Sequence, residues 1–502
     1  MSALAGQLEI RLEASSGAVA IGSSRPLTAA RVFAGKPPAA VVRQLPTLFS
    51  LCGTAQAAAC VSACEQALDR QPSAAVLARR QALVSAETIK EHLWRLLLDW
   101  PRMLEPWAET MPKLDAGARI DANAHARAST EAKAPSPAAS TLSAIEAKTM
   151  APKTSAASAM PRVMRAFMAL RRTQQAGGDP FSLHTQQAEQ GAAAGLDPSA
   201  LLDLVTEQAL GTAPDAWLQA LDSPAAVRRW AAQTRTPAAG LVRALLAGGV
   251  ADCGANPVAR LPAAPWQPLA EALANADADA FIATPRWQRE CAETGPLARV
   301  AAHPLIAALL AEHGNGLLTR LVALLVDLAQ RARGLEGLSE NTALAAPEAG
   351  NRLPRAGFQK ASETTLDAGM EDRGGAVQAS LEDAGESLRP VVDGTGARGR
   401  LPGLKNAVDR DETRGGVDAG VGIGAAEAAR GLLVHRVSIA DGRVERYRIL
   451  APTEWNFHPA GVVAQGLAAI ARGGAKGPEL ERLARLYITA VDPCVDYQLS
   501  VS

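Results

Sequence analysis

Two long stretches of this 502-residue chain cannot pack, and they decide what the rest can become. The first, 116–160, runs through "ARASTEAKAPSPAAS" and consists largely of Ala, Ser, Pro and Lys. The second, 339–425, contains "AAPEAGNRLPRAG" and "VVDGTGARGRLPG". Segments so poor in large apolar side chains bury too little surface to repay ordering, so both are expected to be flexible inserts. Two such inserts in one chain imply a compact body with excursions rather than domains in a row. The packable pieces are then an N-terminal part at 1–115, a helical part at 161–338 and a C-terminal part at 426–502. The first and last are expected to pack together as one body.

Within those pieces the signals are local. "QLEIRLEASSGAVAIG" alternates Leu8, Ile10 and Leu12 with Glu9, Arg11 and Glu13, the pattern of a half-buried strand that turns at Ser15-Ser16-Gly17 into a second. In "FAGKPPAAVVRQLPTLFSLCGTAQAAACVSACEQAL" the Pro-rich part is expected to be loop, from Thr54 onward the text reads as helix, and another helix is expected over about 78–100. Near the end, "LLVHRVSIADGRVERYRIL" sets Asp441-Gly442 between two β-rich runs. Asp-Gly is a hairpin signal because both turn positions need positive φ. The expected fold class is α+β, a mainly helical body with small β elements near both termini. Aromatics are only 4% and Ala is abundant, which suits helices packed through small side chains, and 48% hydrophobic residues allow a sizeable core.

Charge excludes some functions. Fifty-one basic and 51 acidic residues give no general reason for a nucleic-acid or anionic-membrane partner. The most apolar helix, "GLLTRLVALLVDLAQ", is interrupted by Arg320 and Asp327 and is too short and too charged to span a bilayer. "MSALAGQLEIRLEAS" lacks a basic region followed by an apolar one, so no secretory signal is expected. Six scattered cysteines, at 52, 60, 64, 253, 291 and 494, suit a reducing cytoplasm.

Six short boxes occur in order: "SLCGTA" at 50–55, "ETGPLARV" at 293–300, "EAARG" at 427–431, the Asp-Gly hairpin, "APTEWN" at 451–456 and "DPC" at 492–494. Together they resemble the large subunit of nickel-iron hydrogenases, across nearly the whole chain except the inserts. That family carries RxCGxC, GPLAR, PRG, a hairpin, PTTWN and DPCxxCxxH. The resemblance implies the fold of that subunit and four thiolates that hold nickel and iron.

The departures matter more than the matches. Cys52 and Cys494 stand at the first thiol of each terminal box, but Ala55 and Tyr497 stand at the second. Ala59 and Ser500 replace the two histidines, Ser50 replaces the Arg before the first thiol, and "ALAGQ" puts Ala5 at the family's proton-passing Glu and Gln7 at its His. Alanine cannot relay a proton. Nickel in such a setting needs several soft thiolates, and the two missing ones are the family's bridging ligands. No stable nickel and no hydrogen turnover are therefore expected. Arg430 and Thr453, by contrast, match residues that in the family lie beside the iron's cyanides, whose nitrogen ends want charged or hydroxyl donors in a dry pocket.

The pattern is similar to the hydrogenase expression/formation accessory proteins of the HupK type. It implies a non-catalytic carrier in which Cys52 and Cys494 transiently hold iron bearing cyanide and carbon monoxide. The implied partners are the accessory proteins that build this fragment and the hydrogenase large subunit precursor. Two other readings stay open: a degenerate large subunit beside an iron-sulfur small subunit, and a redox enzyme with altered ligands. The two thiols could also be buried remnants, a common fate of Cys.

The remaining candidates have plainer readings. Cys60 and Cys64, at i and i+4, share a helix face and are expected to pack, with a displaced ligand or a redox pair as alternatives. Cys253 and Cys291 have no ligand spacing. His458 is expected as a loop hydrogen bonder with a metal or proton contact as the alternative, and His92 as a core or partner-face residue. Glu293 and Arg299 are expected to be structural, and Asp492 and Pro493 to set the turn that presents Cys494. Only Val501 and Ser502 follow the position of the family's last His, so no removable tail is expected.

Overall fold

Strand β1 (Leu8–Leu12) buries Leu8, Ile10 and Leu12 and exposes Glu9 and Arg11, as its alternation predicts. It pairs antiparallel with β2 (Val19–Ser23), and the two join around the turn after Glu13. Its other edge pairs in parallel with the last strand of the chain, so the two termini share one three-stranded sheet. These features come from a computed structural model that describes residues 6–104, 156–176, 178–183, 196–263, 266–344 and 420–502. Most of both expected inserts lies outside the described residues.

Helix α1 (Pro38–Leu48) corrects the loop expected in the Pro-rich run, because a proline fits the first helical turn and Val41, Val42 and Leu45 are buried; it leads through a short 3-10 turn into α2 (Gly53–Ala67), and then α3 (Ala74–Trp94) begins behind Ser73. The Ser73 hydroxyl accepts from the Val76 N–H, an ordinary N-cap. α3 continues through a π-turn at Arg95–Asp99 as far as Leu104, longer at both ends than the expected 78–100. Helix α4 (Ala156–Gln175) starts inside the expected insert. Short helices and a two-residue pair of strands, β3 (Ala259–Arg260) and β4 (Ala292–Glu293), lead to α5 (Leu317–Leu344). α5 is covered on nearly all sides between 317 and 329, and packs with α3 in the largest core. Among the described residues no helix is long and apolar enough to cross a membrane.

The C-terminal sheet has the order β5 (Gly420–Ala428), β6 (Gly431–Ala440), β7 (Arg443–Leu450), all antiparallel. Asp441 and Gly442 both have positive φ, 52° and 68°, as the Asp-Gly hairpin requires. A one-turn helix at Pro452–Asn456, α6 (Val462–Arg472), α7 (Gly477–Val491) and β8 (Tyr497–Val501) complete the chain. β5 corrects one boundary. It begins at Gly420, inside the segment read as a flexible insert to 425. Its alternate glycines look like loop text, but they let the strand lie directly on α2. A methyl on Gly422 would stand 1.9 Å from the Ala63 carbonyl oxygen, and one on Gly424 2.1 Å from that of Ala59.

Buried ion pairs tie the "ETGPLARV" box to this sheet. Arg299 donates to Asp327 of α5 through Nε (3.0 Å) and Nη2 (2.7 Å) and to the carbonyls of Ala428 (3.0 Å) and Ala429 (3.2 Å). His92 of α3 meets the same carboxylate at 2.7 Å. Glu293 takes both Nη groups of Arg320, and Tyr487 lies 3.2 Å from Nη2. Glu293, Arg299 and His92 are thus core pins, in line with their plainer reading: Arg299, with His92 on the same carboxylate, fixes the β5–β6 turn against α5, and Glu293 ties β4 to α5.

Two outcomes follow from this packing. Gly422→Ala should lower stability by about 1–3 kcal/mol or more, because backbone blocks the added methyl; a thermal midpoint within a degree of wild type would refute the seam. Burial pulls the Asp327 carboxyl up, but Arg299 and Arg331 hold it well below the usual range. The unfolded chain therefore binds the proton more readily, and this group's stabilisation is present above about pH 4 and lost as pH falls towards the folded value. Asp327→Asn should cost about 3–5 kcal/mol at pH 7 and flatten the acid limb of a urea-midpoint profile; an unchanged limb would remove Asp327 from that role.

Candidate functional site

Cys52 ends the 3-10 turn Ser50–Cys52 and stands at the N-cap of α2 without capping it. The cap comes from outside. The Glu87 carboxylate of α3 accepts the N–H groups of Thr54 (2.9 Å) and Ala55 (3.0 Å), satisfying donors that α2 leaves open. Burial raises the Glu87 carboxyl, and those N–H groups pull against it. Gln56 Nε2 points to the Cys52 sulfur at 3.8 Å.

Cys494 follows the end of α7. Asp492 takes the left-handed conformation, φ 65°, and so turns the chain out of the helix ahead of Pro493 and Cys494. The Asp492 carboxylate receives Arg430 Nε at 3.1 Å and Arg95 Nη2 at 2.6 Å, which is why it holds this turn so firmly. Asp492 therefore positions the thiol, as expected, and does so through two guanidiniums. The Thr453 hydroxyl lies 2.8 Å from the Cys494 sulfur.

The fold brings the four expected residues together. Burial and the nearby Cys494 thiol push Cys52 up to about 12, with Arg430 pulling the other way. Arg430 in turn interacts with both thiols, and Asp492 and Glu91 hold its charge against the cost of burial. Its Nη2 donates to Glu91 at 3.1 Å, while Nη1 is buried with no hydrogen-bond partner. As whole residues Cys52 and Cys494 keep partial exposure, while the Cys52 thiol itself is buried. Among the described residues no group of three or more His, Cys, Asp and Glu is placed to hold a metal ion. Ala55 and Ala59 are buried in α2, and Tyr497 and Ser500 lie in β8. Ala5 lies outside the described residues.

Other candidates go elsewhere. His458 Nδ1 accepts the Ala460 N–H at 3.0 Å and meets the Cys291 sulfur at 3.3 Å, so it is a loop hydrogen bonder. Cys60 and Cys64 are fully buried beneath the sheet, and the Tyr447 hydroxyl that interacts with Cys60 also lies 2.8 Å from His435 Nδ1.

Sequence reasoning missed Arg25, Glu87, Glu91 and Glu454. Glu87, Glu91 and Arg95 fall at i, i+4 and i+8 on one helix face, and such a charged stripe in a helix buried on most sides was the signal available for them. Arg25 donates to Glu454 across 429 positions, and no local pattern marks it.

A family described as nickel-dependent hydrogenase matches residues 405–469. The hydrogenase expression/formation protein HupK of Azotobacter vinelandii is 42% identical over 86 residues, 17% of this chain and 24% of that protein. HupK of Rhizobium leguminosarum bv. viciae is 47% identical over 83 residues, 16% of this chain and 21% of that protein. Those two matches thus span less than a quarter of each relative. The hydrogenase expression/formation protein HoxV of Cupriavidus necator is 26% identical over 505 residues, 99% of this chain and 95% of that protein. Among solved structures, the Ni-Fe-Se hydrogenase of D. vulgaris Hildenborough aligns with 95% of this chain and 93% of its own at 15% identity and a TM-score of 0.45. By sequence the chain is similar to the hydrogenase expression/formation proteins HupK and HoxV, and its segment 405–469 matches the nickel-dependent hydrogenase family.

Proposed function

We propose that this chain is a non-catalytic maturation factor that carries an iron-cyanide-carbonyl fragment for the nickel-iron cofactor of a hydrogenase large subunit. The observation that supports it best is the company of Cys494. Its sulfur touches the Thr453 hydroxyl, and Arg430, which interacts with both thiols, has a buried N–H with nothing to donate to. A buried donor without an acceptor is costly, and a metal-bound cyanide nitrogen is an acceptor that would satisfy it.

The donor set suits an iron that brings diatomic ligands of its own. Two thiolates are soft ligands, and two thiolates with three diatomic ligands complete a five-coordinate iron. Two protein ligands release cargo more readily than four, as a carrier needs. Metal binding would take the protons from both sulfurs. Thr453 and Arg430 would orient the cyanides, and Asp492 and Glu87 would hold the two thiol-bearing turns in place. The partners of this reading are the accessory proteins that make the fragment and the unfinished large subunit, in the cytoplasm. The names of the relatives, expression/formation proteins, are in keeping with such a role.

Full-length protein purified without oxygen from hydrogenase-producing cells should contain iron and show cyanide and carbonyl infrared bands. Cys52→Ser and Cys494→Ser should each abolish them. A wild type without bands, or one that arrives with an iron-sulfur small subunit instead, would overturn the reading.

Thr453→Val keeps the side-chain shape and removes the hydroxyl. It should cost about 1 kcal/mol of stability and shift a cyanide band while the carbonyl band moves less. Unshifted cyanide bands at full iron content would take Thr453 out of the pocket.

A further inference from the structure

Arg25 lies in the loop after β2, far in sequence from every box that marks the site. Its Nη1 donates to Glu454, and both side chains are largely buried, 12% and 6% exposed. Glu454 is the residue after Thr453, whose hydroxyl touches the Cys494 sulfur, so the pair is anchored at the wall of the thiol pocket. Arg25 interacts with both Cys494 and Cys52, whereas the principal partners of Glu454 are Arg25 and backbone groups. The positive member of the pair is therefore within electrostatic reach of both sulfurs. So is Arg430, held by Glu91 and Asp492.

We propose that Arg25 is a specificity-determining residue that, with Arg430, restricts the pocket to an anionic metal complex and rejects bare divalent cations. This rests on the carrier reading given above. Two cyanides already balance an iron(II) ion, so the loaded unit carries the negative charge of both thiolates. A bare divalent ion on the same two thiolates makes a neutral unit. Two guanidiniums in a poorly solvated pocket favour the first over the second, because charges there are weakly screened. Arginine suits this task, since it stays protonated under burial and its planar fork donates to several acceptors at once.

The test compares full-length wild type, Arg25→Gln and Arg25→Lys. One arm titrates the metal-free protein with cobalt(II) and follows thiolate-to-cobalt absorption; the other measures iron and infrared bands after expression in hydrogenase-producing cells. Arg25→Gln should bind cobalt(II) about tenfold or more tightly and lose most of its cyanide-bearing iron, and Arg25→Lys should return both towards wild type. Equal cobalt affinity and equal band intensity in Arg25→Gln would overturn the proposal while leaving the carrier reading intact. A wild type without bands would sink the carrier reading, and the cobalt arm would still decide the role of Arg25. If Arg25→Gln fails to fold because Glu454 is left buried and unpaired, Arg25→Gln/Glu454→Gln removes both charges. It should shift cobalt affinity in the same direction by a smaller factor, and no shift would count against Arg25.

Discussion

One helix face holds the candidate site together. Glu87, Glu91 and Arg95 follow one another at four-residue intervals on α3 and span about 12 Å along its axis. Glu87 takes the N–H groups behind Cys52, Glu91 takes Arg430, and Arg95 takes the Asp492 carboxylate ahead of Cys494. Three chain segments from opposite ends of the sequence are thereby set against a single rigid ruler. The π-turn that begins at Arg95 widens the helix at the point where it meets Asp492.

Such a ruler is expensive to bury. Lys90, Glu91, Arg430, Asp492, Arg95 and Asp99 form a chain of alternating charge, and each carboxylate in it has at least one cationic partner. Pairing offsets desolvation only when the geometry is good, and a hydrophobic replacement of similar volume would often be as stable. The value of these pairs lies in orientation. They fix where Arg430 and the Cys494 turn sit, and they leave the Nη1 group of Arg430 over for something else. A second set, Arg299 with Asp327 and His92, fixes the β5–β6 turn from the other side.

The departures from the hydrogenase pattern acquire physical meaning in this frame. Ala55 occupies the position of a missing thiol, and its N–H is already engaged by Glu87. That turn is organised around the Glu87 carboxylate. Tyr497 and Ser500, where a thiol and an imidazole would stand in the family, belong to a strand paired with β1. Both positions are thus engaged in strand pairing.

Much of this was legible from local text. The β1 alternation, the Asp-Gly hairpin, helices α2 and α3 and the boxes that hold Cys52, Arg430, Thr453 and Cys494 are carried by neighbours in sequence, whereas α1 lies in a Pro-rich run that reads as loop. Other features were not legible. The glycines of β5 read as loop, because their purpose is the closeness of α2 and not any preference of their own. Arg25 and Glu454 are 429 positions apart, and neither carries a mark of the other. What the sequence alone determined was a mainly helical body with small β elements near both ends and a cysteine, Cys52 and Cys494, in each of its first and last boxes. Only the tertiary structure decided which charges face those cysteines, because a buried ion's partner is chosen by the packing of distant segments and not by spacing along the chain.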